Sequence, residues 1–145
     1  MAHQNPSDDH LRALLTEANV IAVVGASSSP ERPSFGVFQK LLAAGYRVVP
    51  VNPNETEVQG QRAYASLSEV PYPIDIVNVF RRPEATPEVA DAAVQARAKV
   101  LWLQSGIVNE EAARRAREGG LAVVMDACIG VLHGVLQVRR KNPRS

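Results

Sequence analysis

Residues 20–25, Val20-Ile21-Ala22-Val23-Val24-Gly25, form an unbroken apolar run that ends in glycine and small residues. The run shows no alternation of polar and apolar positions, so neither face is suited to water. It reads as a strand buried on both sides, and such strands belong to parallel sheets covered by helices above and below. This segment alone points the chain toward an α/β architecture.

The flanking sequence repeats the pattern. Ser7 can cap a first helix with Asp8 and Asp9 in its positive first turn, and Leu11, Leu14, Leu15 and Ala18 supply its apolar stripe up to Asn19. After the loop 26–33, Ser34 caps a helix carrying Val37, Phe38, Leu41, Leu42 and Ala44, and Gly45 stops it. A second strand follows at 46–51, which completes one βαβ unit. Residues 55–64 are polar and read as a surface excursion. Ser66-Leu67-Ser68-Glu69 matches a capping box for a short helix. Further strands are expected at 74–80, 100–103 and 121–125. Helices are expected from Thr86-Pro87-Glu88 and from Asn109-Glu110-Glu111, the latter with Glu110–Arg114 and Glu111–Arg115 pairs. The expected fold is therefore a three-layer α/β sandwich around a five-stranded, mainly parallel sheet. With 145 residues and 46% hydrophobic composition, one domain spans 1–145, with 1–6 and 138–145 read as loose tails.

Ligands of such sheets bind outside the carboxyl ends of the strands. The loops there are 25–33, 52–54, 80–83, 104–107 and 126–130. In the first, Gly25, Ala26, Ser27, Ser28 and Ser29 offer backbone N–H groups and hydroxyls, Arg32 adds a charge, and the next helix points its positive end at the same place. These features suit a phosphate. The loop matches neither G-x-G-x-x-G nor the Walker pattern, and the second strand ends in Asn52 rather than the acidic residue that grips a dinucleotide ribose. Pro53 and Asn54 can wall an adenine or meet a phosphate. Phe80 beside Arg81 and Arg82 suits adenine stacking and phosphate pairing, or else a core aromatic with two solvated cations. Gln104 and Ser105 offer an amide and a hydroxyl, or only a turn.

Other classes are disfavoured. A formal net charge of +1 gives no bulk attraction to nucleic acid or to an anionic membrane, and no apolar run is long enough to span a bilayer. The first nine residues lack the apolar core of a secretory signal, and the single cysteine forms no internal disulfide, so a cytoplasmic location is expected. No metal-ligand spacing is present. Asp75 and Asp126 flank different strands at opposite ends, which argues against a carboxylate pair. Cys128 is either an inert buried thiol or, with His133, a nucleophile and its base. A symmetric homodimer and an unidentified protein partner both stay open.

Several stretches together resemble the stand-alone CoA-binding domain proteins, relatives of the N-terminal CoA-binding domain of the succinyl-CoA synthetase α subunit and of ADP-forming acyl-CoA synthetases. They are Ile21-Ala22-Val23-Val24-Gly25-Ala26-Ser27, Glu31-Arg32-Pro33-Ser34, Gly45-Tyr46-Arg47-Val48-Val49-Pro50-Val51-Asn52-Pro53, Asp75-Ile76-Val77-Asn78-Val79-Phe80-Arg81, Leu101-Trp102-Leu103-Gln104-Ser105-Gly106, and Val123-Val124-Met125-Asp126 with Cys128. The resemblance runs from about Leu11 to Leu136 and implies a Rossmann-like domain that binds coenzyme A. By analogy, Gly25, Ala26, Ser27 and Ser28 would lie at the phosphates or pantetheine, and Arg32, Pro33 and Ser34 would complete that wall. Asn52, Pro53 and Asn54 would meet the adenosine end, while Phe80, Arg81, Gln104 and Ser105 line the rest. The family usually carries a basic residue between the late Asp and Cys, where this chain has Ala127. The larger synthetases catalyse through a phosphorylated histidine on a later domain that these 145 residues lack, so the resemblance implies binding without ligase activity. Three alternatives stay open beside a CoA module: an NAD(P) or nucleotide binder, a small acyl-CoA enzyme using Cys128, and a structural subunit.

Overall fold

Five parallel strands in the order β2-β1-β5-β6-β7 form the centre of a computed structural model that describes residues 2–141. The elements are α1 (Asp8–Glu17), β1 (Val20–Val24), α2 (Pro33–Ala43), β2 (Arg47–Val51), β3 (Glu57–Val58), β4 (Gln61–Arg62), β5 (Ile76–Val79), α3 (Thr86–Gln95), β6 (Val100–Leu103), α4 (Glu110–Glu118), β7 (Ala122–Val124) and α5 (Ile129–Val135). Short 3₁₀ turns occupy Leu67–Glu69 and Pro83–Ala85.

Alternation along β1 explains the three layers. Ile21 and Val23 face a core built with Leu11 and Leu15 of α1, Phe38 of α2 and Ile129 of α5. Ala22 and Val24 face the opposite core, with Ala90 and Ala93 of α3 and Ala112, Ala113 and Ala116 of α4. All five β1 side chains are buried, as the unbroken apolar run requires. Alanines on α3 and α4 let these helices lie close on the sheet. Trp102 is core, and its ring N–H donates to the Ala127 carbonyl at 2.8 Å. At the amino ends of the strands, Asp75 accepts the Asn19 and Val20 N–H groups at 2.8 and 2.9 Å, so it ties β1 to β5.

Several local expectations change. Ser34 does not cap α2: the N-cap is Arg32, Pro33 takes the first turn with its preset φ, and Ser34 is buried one residue further on. Thr86 lies inside α3 rather than capping it, and its hydroxyl donates to the Pro83 carbonyl at 2.6 Å. Glu110 accepts the His3 N–H instead of pairing with Arg114, which joins Glu111 and Glu118. The excursion at 55–64 contains the β3–β4 hairpin, turned by Gln59 and Gly60 with φ of 48° and 81°, and Val58 is fully buried beneath it. Residues 2–6, expected to be loose, are tied down: the Asn5 side chain donates to the Met125 carbonyl and accepts its N–H, both at 2.8 Å. At the other end Val138 is buried and the Lys141 N–H donates to the Ala44 carbonyl at 2.7 Å, while the rest of the expected tail, 142–145, lies outside the described residues.

Candidate functional site

The strand order reverses at β1. From β1 the chain crosses by α2 to β2 on one side, then passes to β5 on the other. The carboxyl ends of β1 and β5 therefore bound the crevice where open α/β sheets take ligands. Gly25 begins the turn there. Its φ is +88°, its N–H donates to the Val51 carbonyl at 2.9 Å, and a Cβ on it would stand 2.2 Å from the Phe80 carbonyl oxygen. Only glycine lets β1 and β5 approach this closely while the chain turns away.

The turn has two unlike halves. Among the described residues, the N–H groups of Ala26 and Ser27 make no hydrogen bond; Ala26 is fully buried and Ser27 half-buried. Further out, Ser28 donates through its N–H and hydroxyl to the Glu55 carboxylate, the Ser29 N–H donates to the Ser27 hydroxyl oxygen at 3.0 Å, and the Ser29 hydroxyl donates to Glu31. That bond holds the Glu31 carboxyl below its ordinary range. Asn52 is committed to structure, donating to the Ala26 carbonyl and accepting the Asn54 N–H, each at 2.9 Å.

Two cavities open beside this turn, one on each face of the sheet. The smaller, about 250 Å³, lies over α3 and is walled by Val51, Pro53, Leu67, Val89 and Ala92, with Glu88 at its edge. The larger, about 460 Å³, lies beside α2 and is lined by Pro33, Val37, Phe80, Gln104, Ser105, Ile107 and Cys128. Arg81 borders both. Arg32, Arg81 and Arg82 are exposed and have no ion pair among the described residues, whereas Arg114 and Arg115 on α4 are each paired with carboxylates. Unpaired guanidiniums at the carboxyl edge of the sheet make this rim attractive to anions.

Of the residues singled out from sequence, Pro33, Phe80, Arg81, Gln104 and Ser105 line the larger cavity, and Pro53 the smaller. Gly25, Ala26, Ser27 and Ser28 form the turn after β1 and line neither cavity, and Arg32 is the exposed N-cap of α2. Ser34, Asn52 and Asn54 line neither cavity. Val37, Val89 and Ala92 were missed, because a helix position facing a cavity has the same spacing as one facing the core, whereas Ile107 belongs to the expected loop 104–107.

Gln104 is almost fully buried, and its amide donates to the Asn78 carbonyl oxygen. The Asn78 amide nitrogen lies buried without a partner, in register with Val23 and Trp102. Cys128 faces the cavity, but His133 does not join it. His133 packs edge-on against Tyr46, with ring centroids 5.8 Å apart, and burial pushes its pKa down, with Lys40 and Lys141 adding to the shift. No nucleophile–base pair is assembled from the two. Among the described residues no group of three His, Cys, Asp or Glu could hold a metal ion, and no helix is long and apolar enough to cross a membrane.

Residues 19–134 match the model of a CoA binding domain. The chain belongs to this CoA-binding domain family. It is 47% identical over 132 residues to protein YneT of Bacillus subtilis (strain 168), covering 91% of this chain and 98% of that protein. A solved structure of a protein from Pyrococcus horikoshii OT3 superposes with a TM-score of 0.89 at 38% identity, over 94% of this chain and 99% of the other. The fold is thus the Rossmann-like one of this family. The acetate–CoA ligase [ADP-forming] II subunit alpha of Pyrococcus furiosus is 29% identical over 124 residues, which are 78% of this chain but only 27% of the ligase subunit. The family member therefore corresponds to about a quarter of that subunit.

Proposed function

We propose that this chain binds coenzyme A or an acyl-CoA along the carboxyl edge of its sheet, as a non-catalytic module. The observation that carries the reading is the set of features at the carboxyl ends of the strands: two cavities that share Arg81, a half-buried Ser27 whose N–H makes no hydrogen bond among the described residues, and the unpaired guanidiniums of Arg32, Arg81 and Arg82. The phosphates lie at the turn after β1, where N–H groups and the start of α2 favour negative charge. The adenosine end enters the smaller cavity against Pro53 and Val89. The pantetheine arm runs through the larger, mostly apolar cavity past Phe80 and Gln104 toward Cys128, and that cavity falls within the roughly 300–1,000 Å³ usual for small-molecule sites. Coenzyme A has this shape, a charged centre with a heteroaromatic at one end and a long, partly apolar arm at the other. The ligase relative's name adds weight, since that enzyme uses CoA.

The module acts in the cytoplasm, a compartment that keeps a thiol such as Cys128 reduced. We read it as supplying no chemistry of its own, since His133 packs against Tyr46 and makes no hydrogen bond to Cys128 among the described residues. Calorimetric titration with CoA, acetyl-CoA and NAD tests the reading. Saturable 1:1 binding of either CoA species, with NAD at least tenfold weaker, is expected. Preference for NAD, or no CoA binding at all, refutes it.

A further inference from the structure

The phosphate-facing turn already holds an anion, and that anion belongs to the protein. The Glu55 carboxylate accepts the Ser28 N–H at 2.8 Å and the Ser28 hydroxyl at 2.9 and 3.1 Å from its two oxygens. It reaches the turn from the β2 side. The loop after β2 carries it there, fixed by the Glu55 N–H bond to the Asn52 carbonyl and by the Asn52 amide bond to the Ala26 carbonyl. No cation pairs with Glu55 among the described residues. The carboxylate is thus held in place by the same kinds of donor that a phosphate would use.

We infer that Glu55 is a specificity-determining residue that competes with the ligand's phosphate for the Ser28 donors. This rests on the coenzyme A reading above. The carboxylate satisfies Ser28 and occupies the outer half of the turn. A phosphate settling on the Ser27 N–H, next to Ser28 in the chain, meets this negative charge nearby. It either takes over the Ser28 donors and releases the carboxylate, or it binds beside an uncompensated like charge. Both routes subtract from phosphate affinity and leave a phosphate-free ligand untouched. Glu55 therefore makes phosphate contact alone insufficient. Stable binding then requires additional anchors, such as the two flanking cavities, so small free phosphates are excluded from the turn.

The decisive variant is Glu55→Gln, which keeps the length and a carbonyl acceptor for the Ser28 N–H while removing the charge. Glu55→Ala serves as a second variant should the glutamine disturb the loop, and melting curves establish that each is folded. CoA affinity is read by calorimetry. Pantetheine, which carries no phosphate, is titrated in parallel by NMR shift changes. Both variants are expected to bind CoA about three- to twentyfold tighter than the wild type, the size expected for removing one partly screened like charge, with pantetheine affinity unchanged. CoA binding that is unchanged or weaker in both folded variants overturns the inference and leaves the cofactor reading standing. So does an equal gain for pantetheine, which would show that the effect does not pass through phosphate. If neither wild type nor variants bind CoA, the cofactor reading fails, and this inference with it.

Discussion

A Cβ at position 25 would lie 2.2 Å from the carbonyl oxygen of Phe80, so the close approach of β1 to β5 depends on the absence of a side chain at Gly25. The φ of +88° adds a second demand, since L-residues seldom adopt it. Gly25→Ala combines both penalties. It is expected to destabilise the fold by about 2–4 kcal/mol, from left-handed strain plus overpacking against backbone, and to abolish CoA binding because the turn itself shifts. Chemical denaturation and calorimetry on the same preparation check this. An alanine variant with wild-type stability would show that the two strands separate without cost.

The rim arginines are expected to act on binding and not on the fold. Arg32 and Arg81 are exposed and form no ion pair among the described residues, and the Arg32 charge adds only a minor pull to the exposed Glu31 carboxyl. Arg32→Ala and Arg81→Ala are each expected to weaken CoA binding by about 1–3 kcal/mol, the usual value of a charge-assisted hydrogen bond, with the melting temperature unchanged. A dissociation constant equal to the wild type's would mark the guanidinium as solvated. Arg114→Ala, which breaks a paired site on α4, should leave CoA affinity untouched.

Much of this geometry follows from local sequence. The run at 20–25 announces a doubly buried strand, and the small residues after it mark the crevice, because both signals depend only on neighbouring positions. The helix α5 was not legible. Its seven residues include Gly130, Gly134, Val131 and Val135, and its N-cap residue Cys128 makes no capping hydrogen bond, so intrinsic preference opposes it. The helix forms because Ile129 and His133 find a place against α2 and Tyr46. The Glu55–Ser28 contact was equally hidden. The two residues lie 27 positions apart on separate loops, and no periodicity connects them.

Stability should respond to pH through His133. Burial lowers its folded pKa below the ordinary 6.5, and the nearby Lys40 and Lys141 push the same way. The unfolded chain therefore binds a proton that the folded chain refuses in the window between the two values. This contribution is fully present above pH 6.5 and is lost as pH falls toward the folded value. The melting temperature is expected to drop between about pH 7.5 and 5, and His133→Gln should flatten part of that drop. Parallel slopes for the two proteins would show that His133 titrates alike in both states.

The direction in which the cofactor lies can be read from opposite ends of the crevice. Ser105 lines the larger cavity and Ala65 the smaller, and both are exposed, so a bulky side chain at either fills space without disturbing the core. If the arm occupies the larger cavity, Ser105→Trp blocks it. CoA then binds at least tenfold more weakly, an effect comparable to losing one good apolar contact site, while adenosine 3′,5′-bisphosphate binds as to the wild type. Ala65→Trp blocks the adenosine end and should weaken both ligands together. The reverse pattern, with Ser105→Trp excluding the bisphosphate, would place the nucleotide beside Cys128 and turn the cofactor end for end.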